Sequence, residues 1–70
     1  MTQTIKISLN GEPFEIGSKS ALTDLVKVLE LSQERYAIEV NLDIIPRSLH
    51  SQHLLEHGDK VEIVQAIGGG

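Results

Sequence analysis

The dipeptide Asn10-Gly11, set between two stretches of alternating apolar residues, is the feature that most constrains the fold. Asn-Gly is a strongly preferred two-residue loop of a β-hairpin, because both residues tolerate the positive φ that the turn requires. With this loop, Ile7 faces Phe14. The next apolar pair outward is Ile5 and Ile16, so one side of the hairpin is uniformly apolar. A slip of one residue would move all of these side chains to the other side, so turn and pattern specify the same register.

A helix is predicted over residues 21–31. Ser20 is a suitable N-cap, because its hydroxyl can accept a hydrogen bond from an amide of the first turn. The apolar residues that follow recur at helical spacing and form one stripe, while the other side is mostly polar. The stripe consists of Leu22, Leu25, Val26 and Leu29.

Three further strands are predicted in the second half of the chain, over residues 37–40, 44–45 and 60–67. Ile38, Val40, Val61 and Ile63 are expected to face the core. Pro13 has no amide hydrogen, so the second strand of the hairpin is expected at a sheet edge. This order predicts an α+β domain over residues 1–67, with one helix on one face of a mixed sheet. The other face of the sheet must meet water or another protein.

Residues 48–56 predict a loop with a short helical turn, packed by Leu49, Leu54 and Leu55. His50, His53 and His57 have the spacing to share one helix face, where they could bind a metal. We interpret them as part of a solvated polar loop and predict no metal site, because no cysteine or clearly placed carboxylate completes a ligand set. Tyr36 is predicted to lie at the rim of the sheet, and Arg47 to pair with a carboxylate of this chain or of a partner.

The composition disfavours nucleic acid and membranes as partners. The 70 residues include 6 basic and 10 acidic side chains, a net charge of −4, and only two aromatic residues. Such a surface repels phosphates and offers little for bases to stack on. The sequence has neither a signal peptide nor an apolar run long enough to span a membrane, so a cytoplasmic location is expected. Its acids and hydroxyls are scattered, which predicts that the chain is not an enzyme.

The last residues suggest a surface and a tail. Val64 and Ala66 lie on the strand face opposite the core, and with Ile67 they form an apolar strip that is expected to dock a partner. Residues 68–70 are three glycines, predicted to form a flexible tail. Taken alone, terminal glycines are typical of a frayed chain end.

In its context, however, the tail resembles that of a known family. The order of elements and the motifs Ile44-Ile45-Pro46-Arg47, Gly58-Asp59 and Gly69-Gly70 resemble ThiS, the family of ubiquitin-like β-grasp sulfur carriers of thiamine biosynthesis. The resemblance spans nearly the whole chain. It implies that the first and last strands pair in parallel at the centre of the sheet, and that the tail projects from it.

The resemblance also implies partners and a modified residue. A ThiF-type enzyme, related to the activating enzymes of ubiquitin, adenylates the carboxylate of Gly70 at the expense of ATP. Sulfur from a donor enzyme then gives a thiocarboxylate, and a ThiG-type thiazole synthase takes up this sulfur. Gly68 and Gly69 would enter the partner's active site, where the absence of a Cβ permits close approach. No cofactor would be bound to the chain itself.

Three other functions remain as alternatives. The small subunit of molybdopterin synthase has the same fold and tail, but that family favours a proline before its Gly-Gly, and residues 64–67 contain none. A ubiquitin-like modifier would join the same carboxylate to a lysine. A plain interaction module would have an inert tail. Because the chain has no cysteine, it could carry sulfur only at its terminus.

Overall fold

The computed structural model describes residues 3–31 and 35–65, which form one five-stranded mixed sheet and one α-helix. The elements in chain order are β1 Thr4–Leu9, β2 Glu12–Gly17, α1 Leu22–Val28, β3 Tyr36–Val40, β4 Asp43–Ile45, a 3₁₀ turn Arg47–Leu49, and β5 Lys60–Gln65. The strand order in the sheet is β2-β1-β5-β3-β4. β1 and β5 are parallel, and the other neighbouring pairs are antiparallel. This is the predicted β-grasp architecture with its central parallel pair.

The β1–β2 hairpin has the predicted register, with Ile7 opposite Phe14. Asn10 and Gly11 have φ values of 50° and 86°. Two positive values in succession are typical of a type I′ turn, whose twist matches that of the strands it joins. β2 lies at one edge of the sheet, as Pro13 predicts.

Two asparagine side chains hold β5 in place. The Asn10 Oδ1 atom accepts a hydrogen bond of 2.8 Å from the Ile63 amide, which fastens the hairpin turn to β5. Asn41, in the turn between β3 and β4, accepts from the Lys60 amide at 3.0 Å and donates to Asp59 Oδ1 at 3.1 Å. The central strand is therefore fixed to both halves of the sheet by side chains as well as by backbone pairing.

The prediction that Ser20 caps the helix is wrong. The Ser20 hydroxyl instead donates to the Gly17 carbonyl at 2.6 Å, which closes the turn before the helix. Ala21 is the N-cap residue, and its amide donates to Asp24 Oδ2 at 2.8 Å. A carboxylate in the first turn also interacts favourably with the helix dipole, so Asp24 supplies the stabilisation expected from Ser20.

The helix also ends earlier than residue 31, the predicted end. Glu30 has a φ of 58°, in the left-handed region, and its amide donates to the Lys27 carbonyl at 3.1 Å. The Leu31 amide donates to the Val26 carbonyl at 3.0 Å. These two bonds form a Schellman motif, which satisfies the last carbonyls and reverses the chain. The motif usually has glycine at the position of Glu30, so it is difficult to predict from this sequence.

The core lies between α1 and one face of the sheet, and it includes each strand residue predicted to face inward. Leu55 joins it from the loop, with 3% of its surface exposed. Leu49 and Leu54 do not, since they are 47% and 55% exposed, so the prediction that all three leucines pack is wrong for two of them. The loop is held instead by backbone bonds to the start of α1, such as Leu55 N to the Ser20 carbonyl at 2.8 Å.

Across the two described ranges, the chain has no helix whose length and apolar character would suit it to cross a membrane.

Candidate functional site

β5, the strand that leads to the glycine tail, lies at the centre of the sheet. It pairs with β1 on one side and β3 on the other, and its Val61 and Ile63 side chains are buried in the core. The position of Gln65, at its end, is therefore set by the whole fold. The predicted site residues that follow lie outside the described residues, and their roles and the predicted strand end at 67 stay predictions: Ala66, Ile67, Gly68, Gly69 and Gly70.

Val64 is exposed on the face of the sheet that α1 does not cover, which we call the open face. Its side chain is 60% exposed, and β5 pairs with β3 without interruption from Val61 to Gln65. An uninterrupted ladder leaves no bulge that could turn Val64 inward. The predicted orientation is confirmed, whereas its role in docking stays a prediction.

Two residues outside the predicted docking surface lie beside Val64. Ala37 is its direct partner on β3, and Ile44 of β4 follows on the same face with 69% of its surface exposed. The alternation around Ile38 would have placed Ala37 on this face. Ile44 could not be placed in this way, because it is followed by a second isoleucine. Val64, Ala37 and Ile44 together form what we call the apolar patch.

Two carboxylates lie next to this patch. Glu39 of β3 is directly opposite Glu62 of β5, and Ile44 flanks Glu39 on its other side. Like charges directly opposite each other in a sheet are destabilising. The open face thus places an unfavourable charge pair beside exposed apolar side chains, close to the strand that leads to the tail.

An aromatic cluster lies on the helix side of the sheet, at the end of β5 that leads to the tail. Tyr36 pairs with Gln65, and the Arg47 guanidinium lies over its ring, 4.3 Å from the ring centroid. The His50 ring stacks with Tyr36 at a centroid distance of 6.0 Å. A cation over an aromatic face is attracted by the negative face of the ring. Arg47 is therefore positioned by an aromatic ring, whereas the sequence predicted a carboxylate as its partner.

The prediction that the three histidines belong to a solvated loop is wrong for His50. Its ring is buried, 3% exposed, and its Nε2 is 2.8 Å from the Ile45 carbonyl. His57 is exposed, and its Nδ1 accepts a bond of 3.1 Å from the Lys6 amide. In the described ranges, no three His, Cys, Asp or Glu side chains are grouped so that they could hold a metal ion.

A single helix against one face of a sheet, with a central last strand that leads to terminal glycines, defines a ubiquitin-like β-grasp protein. The model of the ThiS family matches residues 7–70, which is almost the whole chain and includes the tail. The chain therefore belongs to the ThiS family.

Similar proteins agree with this assignment. The crystal structure of the thiamine biosynthesis protein ThiS from Geobacter metallireducens superposes with a TM-score of 0.80 at 25% identity, covering 94% of this chain and 100% of that one. The sulfur carrier protein ThiS of Escherichia coli K12 is 27% identical, over 94% of this chain and 100% of its own length. A thiazole synthase of Paramagnetospirillum magneticum is 36% identical over 94% of this chain, which spans only 20% of that protein.

Proposed function

We propose that this chain carries sulfur for the synthesis of the thiamine thiazole, as a thiocarboxylate on Gly70. The observation that supports this most directly is the match to the ThiS family over residues 7–70, because it includes both the domain and the glycine end. The likeness to the Escherichia coli sulfur carrier over that protein's full length agrees with it.

The chemistry requires a terminal carboxylate that is first activated. A carboxylate is a poor electrophile, so one of its oxygens attacks the α-phosphorus of ATP and pyrophosphate leaves. Sulfur at the oxidation level of sulfide, supplied through a donor enzyme, then attacks the carbonyl carbon, and AMP leaves. The chain has no cysteine on which sulfur could be held as a persulfide. The terminus is the group that remains for this purpose.

The tail has the length and composition to enter a partner's active site. Five residues follow Gln65, and a fully extended chain of five spans about 17 Å. The reacting carboxyl group can therefore enter a deep site while the folded domain stays outside. Glycine at the last three positions allows a narrow channel, since it presents no Cβ to the walls. Catalysis is supplied by the partners, and the chain is their protein substrate.

The apolar patch is the surface that we propose for docking. Val64 precedes the tail on the same strand, and Ala37 and Ile44 extend the exposed apolar surface across β3 and β4. Contiguous exposed apolar side chains commonly mark interaction sites. A ThiF-type activating enzyme and a ThiG-type synthase would use this patch in turn, because each must receive the same tail.

The thiazole synthase relative supports the second of these partners. In the protein of Paramagnetospirillum magneticum, a segment similar to this chain makes up about one fifth of a polypeptide named thiazole synthase. A second thiazole synthase, of Magnetococcus marinus, has the same arrangement. A carrier and an acceptor that share one polypeptide remain at high local concentration. We infer that this chain likewise delivers its sulfur to a thiazole synthase, in the cytoplasm.

The substitution Gly69→Ala tests the tail. The added Cβ is expected to clash in the activating enzyme's channel, so ATP-dependent adenylation should slow by at least about 100-fold while the thermal melt is unchanged, because misplacing a reacting group by ~1 Å can have an effect of this size. Gly17→Ala is the matched control, since its Cβ would make only an ordinary contact of 3.6 Å with the Ser20 hydroxyl. Adenylation of Gly69→Ala at the wild-type rate would contradict the proposed role of the tail.

A further inference from the structure

A shallow groove of about 380 Å³ lies on the open face at the end of β5 farthest from the tail. Ser8 lies at its centre, between Pro13 on β2 and Lys60 on β5. Lys6 and the segment His57-Gly58 line one end. The depression exists because the short Ser8 side chain is flanked by bulkier ones and Gly58 has no side chain.

The groove gathers positive charge and hydrogen-bond donors in a chain whose net charge is −4. Lys6 and Lys60 are both exposed and contribute two ammonium groups. The His57 Nδ1 atom accepts from the Lys6 amide, so in the neutral ring the proton is on Nε2, which can donate. The Ser8 hydroxyl adds a further donor. These groups at the rim of the groove can bind anionic oxygen atoms, while most of the surface between them is apolar.

Two carboxylates face the same region and limit its charge. Glu15 lies directly opposite Lys6, and its Oε2 accepts a bond of 3.1 Å from the Thr4 hydroxyl. Glu62 lies two residues beyond Lys60 on the same face of β5. The groove is thus a local basic site bordered by acids, and a bound anion must approach between them.

The spacing of the two lysines indicates the form of the anion. Ser8 is level with Lys60 on the neighbouring strand, and Lys6 is two residues away from Ser8. Such diagonal neighbours have Cα atoms about 7–8 Å apart. Alternate residues of an extended peptide are separated by about 6.7 Å and point the same way. Two acidic side chains at alternate positions would therefore each meet one ammonium group, whereas a single small anion would have to draw both flexible lysine side chains to one point, at a cost in side-chain entropy.

We propose that this groove binds an acidic, extended segment of the protein that docks on the open face, with carboxylates at alternate positions. The proposal rests on the proposed function, because the segment belongs to the partner that receives the tail. The groove and Gln65 lie at opposite ends of β5, about 17 Å apart at the rise of a strand. A partner that contacts both would be aligned along the strand, with the tail directed into its active site.

The first experiment uses the full chain and no partner. Amide chemical shifts are followed by NMR while a synthetic peptide of alternating glutamate and serine is added, and inorganic phosphate is added to a second sample. The peptide is expected to shift the amides of Ser8, Gly58 and Lys60, and phosphate to shift them much less. Neutralising both lysines, in Lys6→Gln with Lys60→Gln, should weaken peptide binding by about tenfold, given the usual strength of exposed ion pairs.

Two further variants make the result specific. Lys27→Gln removes the same charge from the exposed side of α1 and should leave the affinity unchanged. Glu15→Gln removes the carboxylate opposite Lys6 and should tighten binding by about two- to fivefold, again within the range of exposed ion pairs. The proposal is overturned if the peptide leaves the groove amides unshifted, if phosphate shifts them equally, or if Lys27→Gln weakens binding as much as the double variant.

A second experiment separates this proposal from the proposed function. In ATP-dependent adenylation by the activating enzyme, the double lysine variant should raise KM about tenfold and leave kcat unchanged, because exposed charges act on association rather than on chemistry. If KM is unchanged, the groove does not contact this partner and the proposal is wrong, while the proposed function stands. If the wild-type chain is not adenylated at all, it is the proposed function that fails.

Discussion

Replacing Asn10 by alanine should destabilise the domain in two ways, through the backbone and through a lost hydrogen bond. The residue has two tasks: it adopts a φ of 50°, and its Oδ1 accepts a bond of 2.8 Å from the Ile63 amide. Leaving an amide near the core without its partner costs about 1–3 kcal/mol. Holding alanine in the left-handed region costs roughly a further 1–2 kcal/mol. A domain of this size has a total stability of roughly 4–10 kcal/mol, so the loss is a large fraction of it.

Two matched variants separate these contributions. Asn10→Gly keeps the backbone conformation and loses only the acceptor, so it should be destabilised by about 1–3 kcal/mol. Asn10→Asp keeps an acceptor and tolerates positive φ, so we expect it to stay within about 1 kcal/mol of the wild type. The measurement is urea-induced unfolding followed by far-UV circular dichroism, with the slope m unchanged across the series.

The order of stabilities of these variants shows whether Asn10 acts through its backbone conformation, its hydrogen bond or both. We expect wild type, then Asn10→Asp, then Asn10→Gly, with Asn10→Ala the least stable. If Asn10→Ala and Asn10→Gly were equally stable, the backbone conformation would contribute nothing. If Asn10→Ala and Asn10→Gly were both as stable as the wild type, the bond to Ile63 would contribute nothing to the free energy of unfolding. The view that Asn10 fastens the hairpin to β5 would then be refuted.

Three further changes follow from the geometry. Glu62→Gln removes the repulsion from Glu39 and should stabilise the domain by about 0.2–1 kcal/mol in urea unfolding; a loss of stability would show that the pair is not repulsive. Val64→Asp should weaken binding to the activating enzyme by at least about tenfold in calorimetry, the effect of losing a contact worth ~1.4 kcal/mol, while Val28→Asp, equally exposed on α1, should not. A chain shortened by one glycine still ends in Gly-Gly but reaches about 3.5 Å less far. It should deliver sulfur at least about 100-fold more slowly, and full activity would mean that the glycine pair matters and the reach does not.

Part of the fold was predictable because independent signals in the sequence agree. In the hairpin, the turn chemistry of Asn10-Gly11 and the two-residue alternation specify one register, and the structure has it. Alternation also identified the inward residues of β3 and β5 correctly. Pro13 correctly placed β2 at an edge of the sheet. Local propensity and tertiary packing point the same way at these positions.

The errors occur where the deciding contact is distant in sequence or the local signal is weak. The helix end depends on Glu30 in a left-handed conformation that usually calls for glycine. His50 is buried because the Tyr36 ring and the Ile45 carbonyl surround it, and nothing in the spacing of the histidines reveals either contact. The loop leucines show no period by which Leu55, which packs, could be told from Leu54, which does not.

The candidate site, like the fold, could be predicted from the sequence only in part. The exposure of Val64 follows from strand alternation and is confirmed. The basic groove was not predicted, because the resemblance implies that β1 and β5 are neighbours but does not give the register that sets Ser8 beside Lys60. The role proposed for Gly70 rests on the resemblance to a family, since a terminal glycine has no side chain from which a function could be argued.

Intact-protein mass spectrometry shows directly whether sulfur is carried on the last carboxyl group. The chain is incubated with ATP, the activating enzyme and a sulfur donor, and its mass is compared with that of the untreated chain. If Gly70 carries the sulfur, the product is heavier by the difference between one sulfur and one oxygen, and fragmentation places the change on Gly70. A chain whose mass is unchanged, or whose added sulfur lies on any other residue, would contradict the proposed role of Gly70.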